Sequence, residues 1–123
     1  MKRRCRGFTL IEMIVVLSIV ALLLTIALPQ YFGAVDKSKD VVLQENLKVL
    51  RITLDKYYAD KGRYPEQLEE LVEGKYLRAI PIDPVTESAK TWVLIPSDGE
   101  EGIADVKSGA QGFTQDGQSY DAL

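Results

Sequence analysis

The chain has 123 residues, with 15 Lys and Arg against 18 Asp and Glu, and its formal net charge is −3. This acidic balance argues against a nucleic-acid partner, because such partners are bound through basic patches. Histidine is absent and the single cysteine, Cys5, lies near the N-terminus, so no internal disulfide can form and we predict that the chain is not an enzyme.

A short basic leader precedes a long apolar run. Four cations fall within residues 1–6, Gly7 follows, and the apolar run occupies residues 8–28. As a helix with about 1.5 Å rise per residue, this run is roughly 31 Å long, which matches a bilayer's hydrocarbon core of about 30 Å. Cations on the N-terminal side favour a cytoplasmic N-terminus, with the remainder of the chain across the membrane.

Glu12 is the only charge within this run, and a carboxylate there costs about 2.5–3.5 kcal/mol on insertion scales. The small residue, Gly7, precedes the apolar core, whereas the cleavage site of an ordinary secretory signal follows it. A cut between Gly7 and Phe8 would leave the membrane segment in place and create a positive α-amine at Phe8. We therefore expect Glu12 to pair with a Phe8 amine, its own or a neighbouring subunit's, and to set the stagger between helices.

Residues 6–12, Arg-Gly-Phe-Thr-Leu-Ile-Glu, resemble the prepilin peptidase signature of type IV pilins and type II secretion pseudopilins. The resemblance implies cleavage after Gly7, N-methylation of Phe8 and a role for Glu12 in assembling a helical filament. Pro29 also matches a proline that members of the family often carry at the end of the membrane segment. A plain signal anchor is the alternative interpretation.

Beyond Pro29 the pattern is still helical. Five apolar residues recur at spacings of four and three, which places them on one face of a helix: Leu43, Leu47, Leu50, Leu54 and Tyr57. Asp40 and other charged residues are predicted to form the polar surface around this stripe. We predict one helix from about Phe8 to about Asp60, kinked or locally melted at Pro29, whose stripe packs on the chain's own core. A coiled coil is the alternative.

The sequence pattern of the rest of the chain predicts short secondary-structure elements. Residues 65–73 predict a short helix that begins at Pro65, and residues 90–95 and 102–107 predict an antiparallel hairpin with Trp92 as a core anchor. The predicted fold class is α+β. A long N-terminal helix, with a membrane half and an amphipathic half, packs on the short helix and a small antiparallel sheet in a pilin-like arrangement.

Two segments resemble the major, G-type pseudopilins more narrowly. They are Tyr64-Pro65 and residues 80–84, Ile-Pro-Ile-Asp-Pro. The tryptophan and glycine that often follow the second segment are replaced by Val85 and Thr86. Many major type IV pilins close their C-terminal region with a disulfide, so the lack of cysteine beyond the leader favours a pseudopilin.

The C-terminal residues from Ser108 onward are polar and rich in glycine. Major pseudopilins often bind calcium in this region, so the resemblance implies Ser108, Asp116 and Asp121 as calcium ligands, and calcium prefers oxygen ligands of this kind. Gln111 stands where an aspartate is expected, and the spacing after Ser108 is shorter than in the family pattern. A plain loop with solvated aspartates is therefore the alternative.

The resemblance implies a domain plan of leader peptide (1–7), transmembrane and filament-core helix (8–28) and periplasmic globular domain (29–123). The implied function is that of a structural subunit of a type II secretion pseudopilus, a periplasmic filament that helps drive protein export. The expected partners are copies of itself, other pseudopilins, prepilin peptidase and an inner-membrane assembly platform. A type IV pilin for adhesion, motility or DNA uptake is the alternative within the family. A membrane-tethered binding module that never polymerises is the alternative outside it.

Overall fold

A computed structural model describes residues 7–99 and 101–123, so that most of the predicted leader lies outside the described residues. The chain divides into two compact units, Met1–Val35 and Asp36–Leu123. In chain order its elements are helix α1 (Leu10–Lys61), helix α2 (Glu69–Glu73), strand β1 (Val93–Pro96), strand β2 (Ile103–Lys107) and a 3-10 turn (Tyr120–Ala122). The predicted α+β, pilin-like arrangement is confirmed.

Helix α1 lies within two residues of its predicted bounds at each end. Pro29 is contained within it and does not end it. Its C-terminal end follows from Gly62, whose φ of 70° is left-handed and whose N–H donates to the Tyr58 carbonyl at 2.8 Å. Glycine adopts that conformation without a steric penalty, which explains why the helix stops at this position.

The core of the second unit is built on the apolar stripe of α1. All five predicted stripe residues are buried, and they pack with Leu68, Leu71, Trp92, Ile103 and Val106. The prediction that the stripe serves the chain's own core is confirmed. The prediction for Asp40 is wrong, because this residue lies three positions before Leu43 on the same face and is only 6% exposed.

Trp92 is a core anchor, as the sequence predicted. It is 7% exposed, and its indole Nε1–H donates to the Pro81 carbonyl at 2.8 Å. That bond satisfies the polar end of a buried aromatic ring and ties the Pro81 connector to the core.

Helix α2 is shorter than predicted, since it begins at Glu69 and not at Pro65. The Pro65 carbonyl accepts the Ile103 N–H at 2.7 Å, so this position is held against the start of β2. The Glu70 carboxylate accepts the N–H of Glu66 and so satisfies a donor that precedes the helix. A long-range contact has replaced the first turn that the local pattern predicted.

Strands β1 and β2 form the predicted antiparallel hairpin, with Val93 opposite Lys107 and a register shift at Pro96. Strand β1 begins three residues later than predicted. Thr91 precedes it and shares a 2.6 Å hydroxyl–hydroxyl hydrogen bond with Thr86. Gly109 packs so closely here that a Cβ would lie 2.1 Å from the Thr91 carbonyl oxygen. This contact requires glycine and places the chain after β2 beside Thr91.

Candidate functional site

The predicted cleavage junction lies in an exposed segment before the first helical residue. Gly7, Phe8 and Thr9 have no regular secondary structure, and helix α1 begins at Leu10. Phe8 is 81% exposed, and a Cβ placed on Gly7 would meet no atom within 4 Å. The peptide bond between Gly7 and Phe8 is therefore sterically open to an enzyme.

Thr9 caps the start of α1, a role that the sequence interpretation missed. Its hydroxyl oxygen accepts the N–H of Glu12 at 3.2 Å, and its carbonyl accepts the N–H of Met13 at 3.1 Å. The signal was available, because Thr-x-x-Glu before an apolar run is the pattern of a capping box. Glu12 thus stands in the first turn, where a carboxylate also complements the helix dipole.

Two hydroxyl side chains within the apolar segment form hydrogen bonds to carbonyl oxygens of their own helix, which makes them compatible with lipid. The Ser18 hydroxyl donates to the Ile14 carbonyl at 2.7 Å, and the Thr25 hydroxyl donates to the Leu22 carbonyl at 2.5 Å. Within hydrocarbon every polar group needs a partner inside the protein, and these two have one. Within the part of the chain that the structure describes, α1 is the one helix long and apolar enough to cross a membrane.

The apolar side chains of this segment are exposed along its whole length in the isolated chain. Ten of the largest are 44% or more exposed: Phe8, Leu10, Ile11, Ile14, Leu17, Ile19, Leu22, Leu23, Ile26 and Leu28. A patch this large marks a surface that is covered in the working state, by lipid or by other proteins.

The three predicted calcium ligands have separate surroundings. The buried hydroxyl of Ser108 donates to a carboxylate oxygen of Asp83. Asp121 accepts from the Ser119 hydroxyl, and Asp116 is exposed. Among residues 7–99 and 101–123, no group of three or more His, Cys, Asp or Glu side chains is arranged to hold a metal ion. The predicted calcium ligands Ser108 and Asp121 thus already have hydrogen-bond partners within the domain.

Tyr120 yields a testable pH dependence. Burial, followed by a hydrogen bond to Asp40, raises its pKa from 10.0 to about 12. A raised folded-state pKa gives stability that is complete below about pH 10 and is lost as the pH rises through about 12. We expect the wild type to lose more unfolding free energy over this window than Tyr120→Phe, measured by urea unfolding at stepped pH. Parallel losses in the two proteins would contradict the assignment.

Known proteins share the N-terminal motif of this chain. Residues 2–28 match the family model described as a prokaryotic N-terminal methylation motif. A membrane-length helix that carries this motif, followed by a small α+β domain, defines a pilin-like protein. No solved structure matches the chain.

The relatives narrow the class further. The chain is 32% identical to the type II secretion system core protein G of Pseudomonas aeruginosa over 99 residues, covering 68% of this chain and 70% of the relative. It is 34% identical to the Klebsiella pneumoniae core protein G over 98 residues, covering 67% and 70%. It is also 35% identical to the type IV major pilin protein PilA of Myxococcus xanthus over 68 residues, covering 55% and 31%. The chain belongs to the family of type II secretion system core protein G, and it is a pseudopilin.

Proposed function

We propose that this pseudopilin is cleaved between Gly7 and Phe8, methylated on the new Phe8 amine, and assembled into a periplasmic pseudopilus. The observation that carries the proposal is the open junction directly before a capped helix of membrane length. The cut removes the basic leader and leaves the exposed apolar segment on the mature chain. Close packing of that segment against neighbouring subunits, together with the pairing of its charged groups, then drives assembly.

Glu12 sets the register of the filament. Its carboxylate lies one turn into the apolar segment, and the amine created at Phe8 is the positive charge nearest to it along the processed chain. In lipid or in a helix bundle each charge alone is costly, so the arrangement in which a neighbour's amine meets Glu12 is favoured. Van der Waals packing between the helices contributes affinity, and the ion pair selects one stagger.

The proposed location is the bacterial inner membrane, with a single pass, a cytoplasmic N-terminus and a periplasmic C-terminal domain. The proposed domain plan is leader (1–7), transmembrane and filament-core helix (8–28) and periplasmic domain (29–123). Copies of the chain, other pseudopilins, prepilin peptidase and an inner-membrane assembly platform are the proposed partners. The role is structural, without catalysis and without nucleic acid, in keeping with an acidic chain that contains no histidine.

A type IV pilin is the second candidate, favoured by the similarity to the Myxococcus xanthus major pilin. A secretion assay separates the two. Deleting the gene for a pseudopilin is expected to leave exported proteins in the periplasm without loss of surface fibres. Loss of surface fibres with normal secretion would instead support the pilin.

Substitutions at Gly7 test the processing step. We expect Gly7→Ala to slow cleavage and a bulkier residue such as Gly7→Val to leave the leader on most of the chain. Because no atom lies within 4 Å of a Cβ at this position, a defect would reflect recognition by the peptidase and not misfolding. The leader adds seven residues, so the two forms separate on a high-resolution gel or by intact mass.

Gly33→Ala is the matched control, since its Cβ would also meet nothing within 4 Å. It should be processed at the wild-type rate. Wild-type cleavage of Gly7→Val would contradict the proposed site.

A further inference from the structure

The segment that follows β2, residues 108–123, contains little regular structure and is called here the C-terminal loop. It holds one isolated bridge, between Phe113 and Ser119, and the single 3-10 turn Tyr120–Ala122. A glycine-rich segment of this kind loses much conformational entropy on ordering. Its fixed conformation therefore depends on contacts with the rest of the domain.

Asp40 provides the first attachment, from helix α1. One carboxylate oxygen accepts the Gln115 N–H at 2.8 Å, and the other accepts the Tyr120 hydroxyl at 2.8 Å. Asp40 is 6% exposed, and a buried carboxylate is tolerated only when its oxygens are paired. Both oxygens are paired here, and both donors come from the C-terminal loop.

Asp83 provides the second attachment, from the connector before β1, and it is fully buried. One oxygen accepts the N–H of Val85 at 2.9 Å and that of Thr86 at 3.3 Å. The other oxygen accepts the Ser108 hydroxyl, and the Ser108 oxygen itself accepts the Ala110 N–H at 3.1 Å. The Ser108 hydroxyl is thus engaged both as donor and as acceptor, which leaves it poorly suited to bind a cation.

Two cationic side chains bind main-chain oxygens near the end of the loop. Lys107 Nζ donates to the Asp121 carbonyl at 2.8 Å, and Arg51 Nη2 donates to the main-chain oxygen of Leu123 at 2.7 Å. Carbonyl oxygens of this kind are calcium ligands in other proteins. The ammonium group beside Asp121 takes up one of them and also repels a divalent cation.

We propose that hydrogen bonds to Asp40 and Asp83, together with Lys107 and Arg51, hold the C-terminal loop in place of calcium. The folded domain is then independent of calcium, in contrast to the calcium site that the resemblance implies for Ser108, Asp116 and Asp121. The proposal concerns the domain's own folding, so it stands or fails separately from the proposed filament role.

The test is thermal unfolding of the full-length protein in detergent, with excess EGTA and with about 10 mM calcium chloride. Sites of extracellular type bind with Kd of about 10⁻⁴–10⁻³ M, so this concentration would fill one. We expect the two unfolding midpoints to agree within about 1 °C. A rise of more than about 1 °C in calcium would overturn the proposal, and ligand linkage at a filled site is expected to give roughly 4 °C or more.

Three variants test whether the C-terminal loop is held by Asp40 and Asp83 rather than by calcium. We expect Asp40→Asn and Asp83→Asn to lower the midpoint by roughly 4 °C or more in EGTA and to gain nothing from calcium. The matched control Asp116→Asn removes an exposed carboxylate of the implied calcium site and should change neither midpoint. Rescue of Asp40→Asn by calcium, or a calcium-dependent loss in Asp116→Asn, would overturn the proposal. The wild-type comparison decides the question even if Asp83→Asn fails to fold.

Discussion

The Glu12→Ala variant is expected to be cleaved and to stay in the membrane, yet to form few filaments. Removal of one member of a buried ion pair costs about 3–5 kcal/mol, and each 1.4 kcal/mol is tenfold in an association constant. We therefore expect filament yield, measured after shearing and sedimentation, to fall by at least about tenfold. The variant removes the one charge from the apolar segment and leaves its other residues unchanged, so insertion of the helix should not suffer.

Two companion variants sharpen this experiment. Glu12→Gln keeps the size and hydrogen-bonding capacity of the side chain without its charge, and it should resemble Glu12→Ala if the ion pair sets the register. Ser18→Ala is the matched control, because the Ser18 hydroxyl already bonds to the Ile14 carbonyl of its own helix. A normal filament yield from Glu12→Ala would contradict the register hypothesis. If that variant and the wild type both stayed monomeric on cross-linking, the membrane-tethered binding module would be favoured.

The Leu50→Ala variant is expected to lose a large part of the domain's folding stability. Leu50 is fully buried on the stripe of α1, and replacing a buried leucine by alanine costs about 2–5 kcal/mol through lost burial and a residual cavity. Urea unfolding of the unassembled protein in detergent should show this loss in the unfolding free energy. A small domain has only about 5–15 kcal/mol of stability in total, so part of the population could be unfolded at growth temperature.

Ile52→Ala is the matched control for Leu50→Ala. Ile52 lies two residues further along the same helix and is 44% exposed. Substitutions at exposed positions usually change stability by no more than about 0.5 kcal/mol. Equal losses from the two variants would contradict the assignment of the stripe to the core.

The helical elements were predictable because their signals are local. The spacing from Leu43 to Tyr57 fixed the buried face of α1, and Gly62 marked its end. The start of α2 was not predictable, because the Pro65 carbonyl bonds to Ile103, 38 positions further along the chain. A contact of that sequence separation leaves no mark in the local pattern.

The burial of Asp40 was mispredicted for a different reason. Its spacing of three before Leu43 placed it in phase with the apolar stripe, but its charge suggested a solvent-facing position. Its partners, Gln115 and Tyr120, lie 75 and 80 residues away in sequence. The helical spacing therefore indicated the face of α1 on which Asp40 lies. The hydrogen-bond donors that allow this carboxylate to be buried are brought to it only by the tertiary fold.

The N-terminal site was predictable as a motif because it is read as a short linear sequence. Residues 6–12 hold the glycine, the phenylalanine and the glutamate at fixed spacing, and the matched methylation motif spans residues 2–28. The cap that Thr9 provides was missed, although the Thr-x-x-Glu pattern was present. The roles of Gly7 and Phe8 in processing by a peptidase, and of Glu12 in assembly between subunits, stay predictions.

The most direct test of the proposed processing and assembly is the intact mass and N-terminal sequence of the protein purified from its native membrane. We expect a chain that starts at N-methylated Phe8 and lacks the first seven residues. A chain that still starts at Met1 would contradict the processing on which the proposed filament depends.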